Sequence, residues 1–346
     1  MSSNWEILKE KGNVEFKNKN YNSAISIYTD AIRENTEQDV LYSNRALCYK
    51  ALGNYRFALN DMNKALHINP KNIKNLVRKF DILVIMGDFF EAENTIKKCI
   101  AFEPKESSHR QLFVNNQIHL NELNELYNSY NNCNYAKSLE LSNKLKDICY
   151  GNLEVKSVYI DSLICENKTN EAINYWSGKL NDSERSSDEM IYLISKCFYY
   201  EGNYEKAKTS LKNLLKRTND NNKYNKLYQN VIHSEEHKEK ANNIFKSGNY
   251  QEAINEYTKL IEIDPQNKNF NATIIANRAL CYQKLGKDIE ALDDMNKALE
   301  LNNKYVKGFL RRAIINMNLN NFEQAKYDYN RVLELEPRKF FNYDLR

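Results

Sequence analysis

Residues 9–28 read KEKGNVEFKNKNYNSAISIY, and residues 238–257 read KEKANNIFKSGNYQEAINEY. Lys, Asn, Tyr and Ala recur at matching places, so the chain is first searched for a period, because an internal repeat decides the architecture. Gly53 and Gly87 lie 34 residues apart, and Ala24, Ala58 and Ala92 keep the same step. So do Tyr21, Tyr55 and Phe89, and the pair Pro70 and Pro104. Placing these residues at repeat positions 15, 20, 17 and 32 starts repeats at residues 5, 39 and 73. The frame returns at 119, 153 and 188, and again at 234, 272 and 306. Nine repeats in three triads are predicted.

Each repeat reads as two amphipathic helices, A and B. Small residues at positions 8 and 20 let the two cross closely, while aromatic residues at 11, 12, 17 and 24 fill the gaps around them. Gly, Asn or Lys at position 15 makes the turn, and Pro at 32 ends helix B. One such hairpin cannot bury its apolar stripe alone, so neighbours must stack. The pattern resembles the tetratricopeptide repeat (TPR) over nearly the whole chain. The resemblance implies an all-α TPR solenoid of nine helix-turn-helix repeats, wound as a right-handed superhelix.

Between triads the frame breaks. Residues 107–118, SSHRQLFVNNQI, and 222–233, NKYNKLYQNVIH, keep helical spacing without the repeat signature and are expected to cap one triad and lead into the next. Three segments result: 1–118, 119–233 and 234–346. After the ninth repeat, Phe340, Phe341 and Tyr343 are the candidates for end packing.

Composition narrows the function. Only 4 prolines and 9 glycines interrupt a chain of 346 residues, which suits helix. Lys+Arg 50 against Asp+Glu 46 leaves a net charge of +4, too mild for a nucleic-acid or membrane surface. No signal peptide or membrane span is expected, and the location expected is cytosolic or nuclear. The seven cysteines (48, 99, 133, 149, 165, 197, 281) never form C-x-x-C and read as small buried residues. The five histidines show no catalytic or metal-ligand spacing, and no Gly-rich phosphate loop occurs. No enzyme, no cofactor and no metal are expected.

Residues three or four apart on one helix look the same way. On helices A of the first triad the polar residues sharing a face are Lys9, Asn13, Asn44, Lys74 and Arg78. Three cations and two amides from three successive helices would converge, with no carboxylate among them. The last triad holds Lys238, Asn242, Asn277, Lys307 and Arg311 at the same repeat positions. The contexts agree: LYSNRALCY beside IIANRALCY, and IKNLVRK beside VKGFLRR. The middle triad has Leu123, Tyr127, Val158, Glu189 and Leu193 there instead. Lys and Arg pair with carboxylates and Asn amides donate to a chain terminus, so each quintet suits the free C-terminal end of an acidic peptide.

These sets look like the two-carboxylate clamp of TPR co-chaperones, which holds the terminal Glu-Glu-Val-Asp of the cytosolic 70-kDa and 90-kDa heat-shock chaperones. The resemblance implies that Lys9, Asn13 and Asn44 hold the terminal carboxylate, and that Lys74 and Arg78 hold the Asp side chain and nearby carbonyls. It implies the same roles for Lys238, Asn242, Asn277, Lys307 and Arg311. Clamps in the outer triads alone are most similar to TPR-containing J-domain co-chaperones of the tetratricopeptide repeat protein 2 type, on SEEHKEKANNIFKSGNYQEAINEYTKLIEIDP (234–265) and YVKGFLRRA (305–313). The chain departs from that family in having no His followed by Pro, so J-type activity is not expected of it. Partners implied are the two chaperones' C-terminal tails, with client proteins as a further class. The alternatives are a Hop-type chaperone organiser, which fits less well because the one Asp-Pro (264–265) lies inside a repeat turn, and a general scaffold binding internal helical segments.

Overall fold

The structure is a computed structural model that describes residues 3–218 and 222–336. Nineteen helices and no strand occur among them. Pro337 and the expected packing by Phe340, Phe341 and Tyr343 lie outside the described residues. Two compact units divide the chain, Met1–Ser162 and Leu163–Arg346.

In the first unit, hairpins form from α1 (Asn4–Lys17) and α2 (Tyr21–Glu34), α3 (Asp39–Ala51) and α4 (Tyr55–Ile68), and α5 (Ile73–Met86) and α6 (Phe89–Phe102). Then come α7 (Ser107–Asn131), α8 (Tyr135–Ile148) and α9 (Leu153–Cys165), within which the division falls. The second unit contains α10 (Thr169–Lys179), the single turn α11 (Asp182–Arg185), α12 (Asp188–Tyr200) and α13 (Tyr204–Thr218). It continues through α14 (Asn222–Lys246), α15 (Tyr250–Ile263), α16 (Lys268–Lys284), α17 (Asp288–Leu301), α18 (Val306–Asn318) and α19 (Phe322–Leu335). From α1 to α8, and from α12 to α19, each helix packs on the next in chain order.

The repeat frame accounts for this order. Helix B carries a small residue at position 20 in every repeat: Ala24, Ala58, Ala92, Ser138, Ala172, Ala207, Ala253, Ala291 and Ala325, and all nine are at most 1% exposed. Position 8 is looser: Gly12, Ala46, Ala241, Ala279 and Ala313 are small as expected, but Phe80, Leu126 and Ile160 stand there in other repeats, all buried. At Gly12 the approach of α1 to α2 is close, since a Cβ there would meet the Tyr28 ring at 2.6 Å.

The turn is sharper in its rule than the sequence indicated. All nine position-15 residues have left-handed backbone: Gly53, Gly87, Gly202, Gly248 and Gly286, together with Lys19, Cys133, Asn167 and Asn320. This corrects the reading of the cysteines. Six are buried, but Cys133 is exposed because it occupies a turn position rather than a core position.

The two segments without repeat signature run unbroken into the repeats after them. Residues 107–118 and the A helix of the fourth repeat form the single 25-residue helix α7, and 222–233 with the A helix of the seventh form the 25-residue α14. The expected segment ends after residues 118 and 233 therefore fall inside helices. Neither helix, nor any other among the described residues, is long and apolar enough to cross a membrane.

The turn rule is measurable. Gly202 has φ +76 and nothing within 4 Å of an added Cβ, so Gly202→Ala isolates the backbone cost and should lower stability by about 1 kcal/mol in urea unfolding. Gly87 has the same φ, but its added Cβ would collide with the Asn152 side chain, so Gly87→Ala should cost more. Equal losses would place the cost in the backbone alone.

Candidate functional site

In the first unit the five residues come from α1, α3 and α5. Asn13 is the hub: its Oδ1 accepts from Asn44 Nδ2 at 3.1 Å and from the Tyr28 hydroxyl at 2.7 Å. The Asn13 amide group donates to Glu10 Oε2 at 3.1 Å. Lys9 Nζ lies 3.3 Å from Glu10 Oε1 and 5.7 Å from the centre of the Trp5 ring. A carboxylate thus stands against two of the five residues, where the sequence reading placed none. Arg78 donates to Ser43 Oγ at 2.5 Å, and Ser43 in turn donates to Asn75 Oδ1 at 2.7 Å. No carboxylate among the described residues pairs with Arg78, and its burial pulls the guanidinium pKa below the ordinary value. Lys74 lies one turn before Arg78, exposed and without a partner among the described residues.

The last triad repeats the plan with α14, α16 and α18. The Tyr257 hydroxyl donates to Asn242 Oδ1 at 2.9 Å, as Tyr28 does to Asn13. Arg311 donates to Asn277 Oδ1 at 3.3 Å and to the Ala276 carbonyl at 3.2 Å. Ala276 and Gly308 stand where the first triad has Ser43 and Asn75, so Arg311 turns to Asn277 instead. Lys238 Nζ sits over Tyr204 at 5.3 Å and Phe270 at 5.7 Å, with no carboxylate among the described residues paired to it. Exposure follows one pattern in both triads: Lys74 and Lys307 are exposed and the other eight residues are half-buried.

Three of the five corresponding residues in the middle triad, Leu123, Val158 and Leu193, are buried and apolar, and Glu189 pairs with Lys223 at 2.8 Å. Cavities elsewhere are not built from the ten residues. One of about 510 Å³ lies at the repeat turns beside Tyr55, Met86 and Asn152, and an apolar one of about 310 Å³ beside Trp176, Ile194 and Phe198.

Two sets of supporting residues were missed by sequence reasoning. Tyr28 and Tyr257, at position 24, were assigned to gap filling, but each also fixes an asparagine by donating its hydroxyl; burial pushes the Tyr257 phenol up to about 12. The second set follows the site residues directly in sequence. Arg45 grips both oxygens of Asp61 at 2.7 and 2.8 Å and donates to Thr29 at 2.9 Å. Arg278 does the same with Asp294, both contacts at 2.8 Å, and with Thr258 at 2.8 Å. Arg312 takes Asp328 and Asn296. Each arginine ties its A helix to its own B helix and to the B helix of the repeat before. Consecutive helical residues point about 100° apart, so anchoring position 7 aims position 6 elsewhere. That is where Asn44, Asn277 and Arg311 stand. The available signal was an Asp 16 residues after each Arg.

In the seventh repeat the pair is Lys240 and Glu256 at 3.1 Å, with Lys259 at 2.9 Å and His237 at 3.0 Å on the same carboxylate. Hydrogen bonding from Lys259, then from His237 and Lys240, lowers the Glu256 pKa to about 2 against a burial effect in the opposite sense.

Profiles of the tetratricopeptide repeat match residues 40–72, 189–217, 234–267, 272–305 and 306–339. The chain is 27% identical over 334 residues to DnaJ homolog subfamily C member 7 of Homo sapiens, covering 96% of this chain and 67% of that protein. Over a shorter stretch of 103 residues, 30% of this chain and 15% of the relative, it is 46% identical to RNA polymerase II-associated protein 3 of Homo sapiens. The crystal structure of the P58(IPK) TPR domain superposes with a TM-score of 0.57 at 20% identity, covering 96% of this chain and 93% of that one, which establishes a shared fold. The chain spans about two thirds of the length of the full-length DnaJ relatives it matches, from 62% to 67%.

Two outcomes test the supports. Asp294→Ala leaves the Arg278 guanidinium, 16% exposed, without its partner, and should destabilise the protein by about 3 kcal/mol in urea titration. The depressed Glu256 pKa means stability present above about pH 4.5 and lost as pH falls towards 2. Glu256→Gln should therefore be less stable at neutral pH and show a shallower acid limb across that window, read as the unfolding midpoint against pH.

Proposed function

We propose that this chain, a solenoid of tetratricopeptide repeats, is a non-enzymatic co-chaperone adaptor. Its two outer triads each hold the acidic C-terminal tail of a heat-shock chaperone of the 70-kDa or 90-kDa class. The observation that carries the reading is the quintet itself. Five polar side chains recur in two triads, with the same tyrosine behind the same asparagine and the same gradient of exposure. Leu123, Val158 and Leu193 close the equivalent positions in the middle triad, so the repeat fold does not need such a set.

The chemistry matches a tail ending in aspartate. Lys9 and Asn13, or Lys238 and Asn242, take the terminal carboxylate with the second asparagine. Lys74 and Arg78, or Lys307 and Arg311, take the aspartate side chain and a peptide carbonyl. Each charge-assisted bond contributes about 1.5–3 kcal/mol, so a few suffice for about micromolar affinity, roughly −8 kcal/mol. Two such sites on one chain engage two tails together and can raise avidity by about 10²–10⁴-fold when their spacing permits. The middle triad then serves as spacer or as the client contact. Similarity to DnaJ homolog subfamily C member 7 along 96% of the chain supports the co-chaperone reading.

Calorimetric titration of the full chain with a pentapeptide ending in Glu-Glu-Val-Asp should give two sites of micromolar Kd. Amidating the peptide's C-terminus should abolish binding. Lys74→Ala with Arg78→Ala should remove one site and keep the other. Equal binding of the amidated peptide would instead favour a scaffold that takes internal helical segments.

A further inference from the structure

The two quintets match in residue type and differ in how their donors are used. In the first triad both asparagines spend an amide donor within the protein. Asn44 Nδ2 donates to Asn13, Asn13 Nδ2 donates to Glu10, and Lys9 pairs with that same Glu10. One carboxylate therefore occupies a lysine and an asparagine together, which is the contact that a peptide's terminal carboxylate would make. In the last triad Glu239 stands at the equivalent place, directly after Lys238, and makes no such contact. The oxygens of Asn242 and Asn277 accept from Tyr257 and from Arg311, while their amide donors have no partner among the described residues.

We infer that Glu10 is a built-in competitor that fills the terminal-carboxylate position of the first site, so that an acidic tail must displace it, while the last triad is open. The inference rests on the clamp reading above. Sequence makes the two triads look interchangeable, since both read Lys-Glu-Lys at this place. The competing contact costs the first site affinity without changing which ligand it accepts. The two sites of one chain then fill in order, the last triad first.

Glu10 is solvent-exposed, so replacing it leaves the core intact: its side chain is 68% exposed. The full chain carrying Lys307→Ala and Arg311→Ala reads the first site, and the chain carrying Lys74→Ala and Arg78→Ala reads the last. The probe is a pentapeptide ending in Glu-Glu-Val-Asp with a free C-terminus. Adding Glu10→Gln to the first background should tighten Kd by about 2- to 5-fold, the scale of an exposed ion pair. Glu239→Gln in the second background should leave Kd unchanged. Equal tightening at both sites would reduce the effect to general removal of negative charge and overturn the inference, as would no tightening by Glu10→Gln. A second readout needs no ligand: in the free protein the Asn13 side-chain amide resonance should move in Glu10→Gln, and an unmoved signal also refutes the contact. If the peptide binds with the same affinity when amidated, the clamp reading itself fails, and the inference falls with it.

Discussion

Helix B of every repeat meets its neighbours through a residue no larger than serine. Position 20 is alanine in eight repeats and serine in the fourth, and all nine are at most 1% exposed. A larger side chain there would push the helices apart and separate the aromatic residues that fill the hairpin, since close-packed interiors do not absorb added methylenes. The position-15 turn completes the constraint. A left-handed residue reverses the chain within a few residues, and the second helix starts in register with the first. Placement of functional side chains depends on these two positions, because a fixed crossing and a fixed turn set which face of each A helix is left uncovered.

In some repeats a further lock helps to aim those faces. The arginine at position 7 spans three helices, gripping an aspartate on its own B helix and a hydroxyl or amide on the preceding one. Such a pair does not act as a surface salt bridge, because the carboxylates of Asp61, Asp294 and Asp328 are at most 5% exposed. Its geometry satisfies the fork of the guanidinium, so the desolvation of both groups is compensated by several hydrogen bonds. The lock is found in the second, eighth and ninth repeats, with a lysine version in the seventh. In the middle triad positions 7 and 23 hold Glu125 and Leu141, Tyr159 and Tyr175, and Ile194 and Ser210, and no equivalent can form. Every lock therefore lies in an outer triad, although Lys9, Asn13, Lys74 and Arg78 stand in repeats without one.

The two quintets also show that identical residue types do not make identical sites. Ser43 and Asn75 hold Arg78 in the first triad, whereas Ala276 and Gly308 leave Arg311 to take Asn277. The amides differ accordingly: Asn277 accepts from Arg311 through its oxygen, whereas Asn44 donates its NH₂ to Asn13. Lys9 and Lys238 diverge in the same way, one beside a carboxylate and the other over two rings.

Periodicity alone determined the repeat count, the helix order, the turn position and the set of residues sharing each A-helix face. Each of these depends on spacing along one chain, which helix geometry converts directly into direction. The fusion of residues 107–118 and 222–233 with the helices after them was only half legible: helical spacing was visible, but no residue marked whether a break should come next. Cys133 was misread as core because its composition spoke louder than its place at position 15. What only the tertiary structure decided was partnering. That Arg45 locks while Asn44 reaches Asn13, that Tyr28 orients Asn13, and that Glu10 rather than Glu239 contacts the neighbouring lysine and asparagine all depend on which side-chain atoms come within about 3 Å. Most of these contacts join residues 15 or more positions apart through side-chain rotamers, which no one-dimensional spacing specifies.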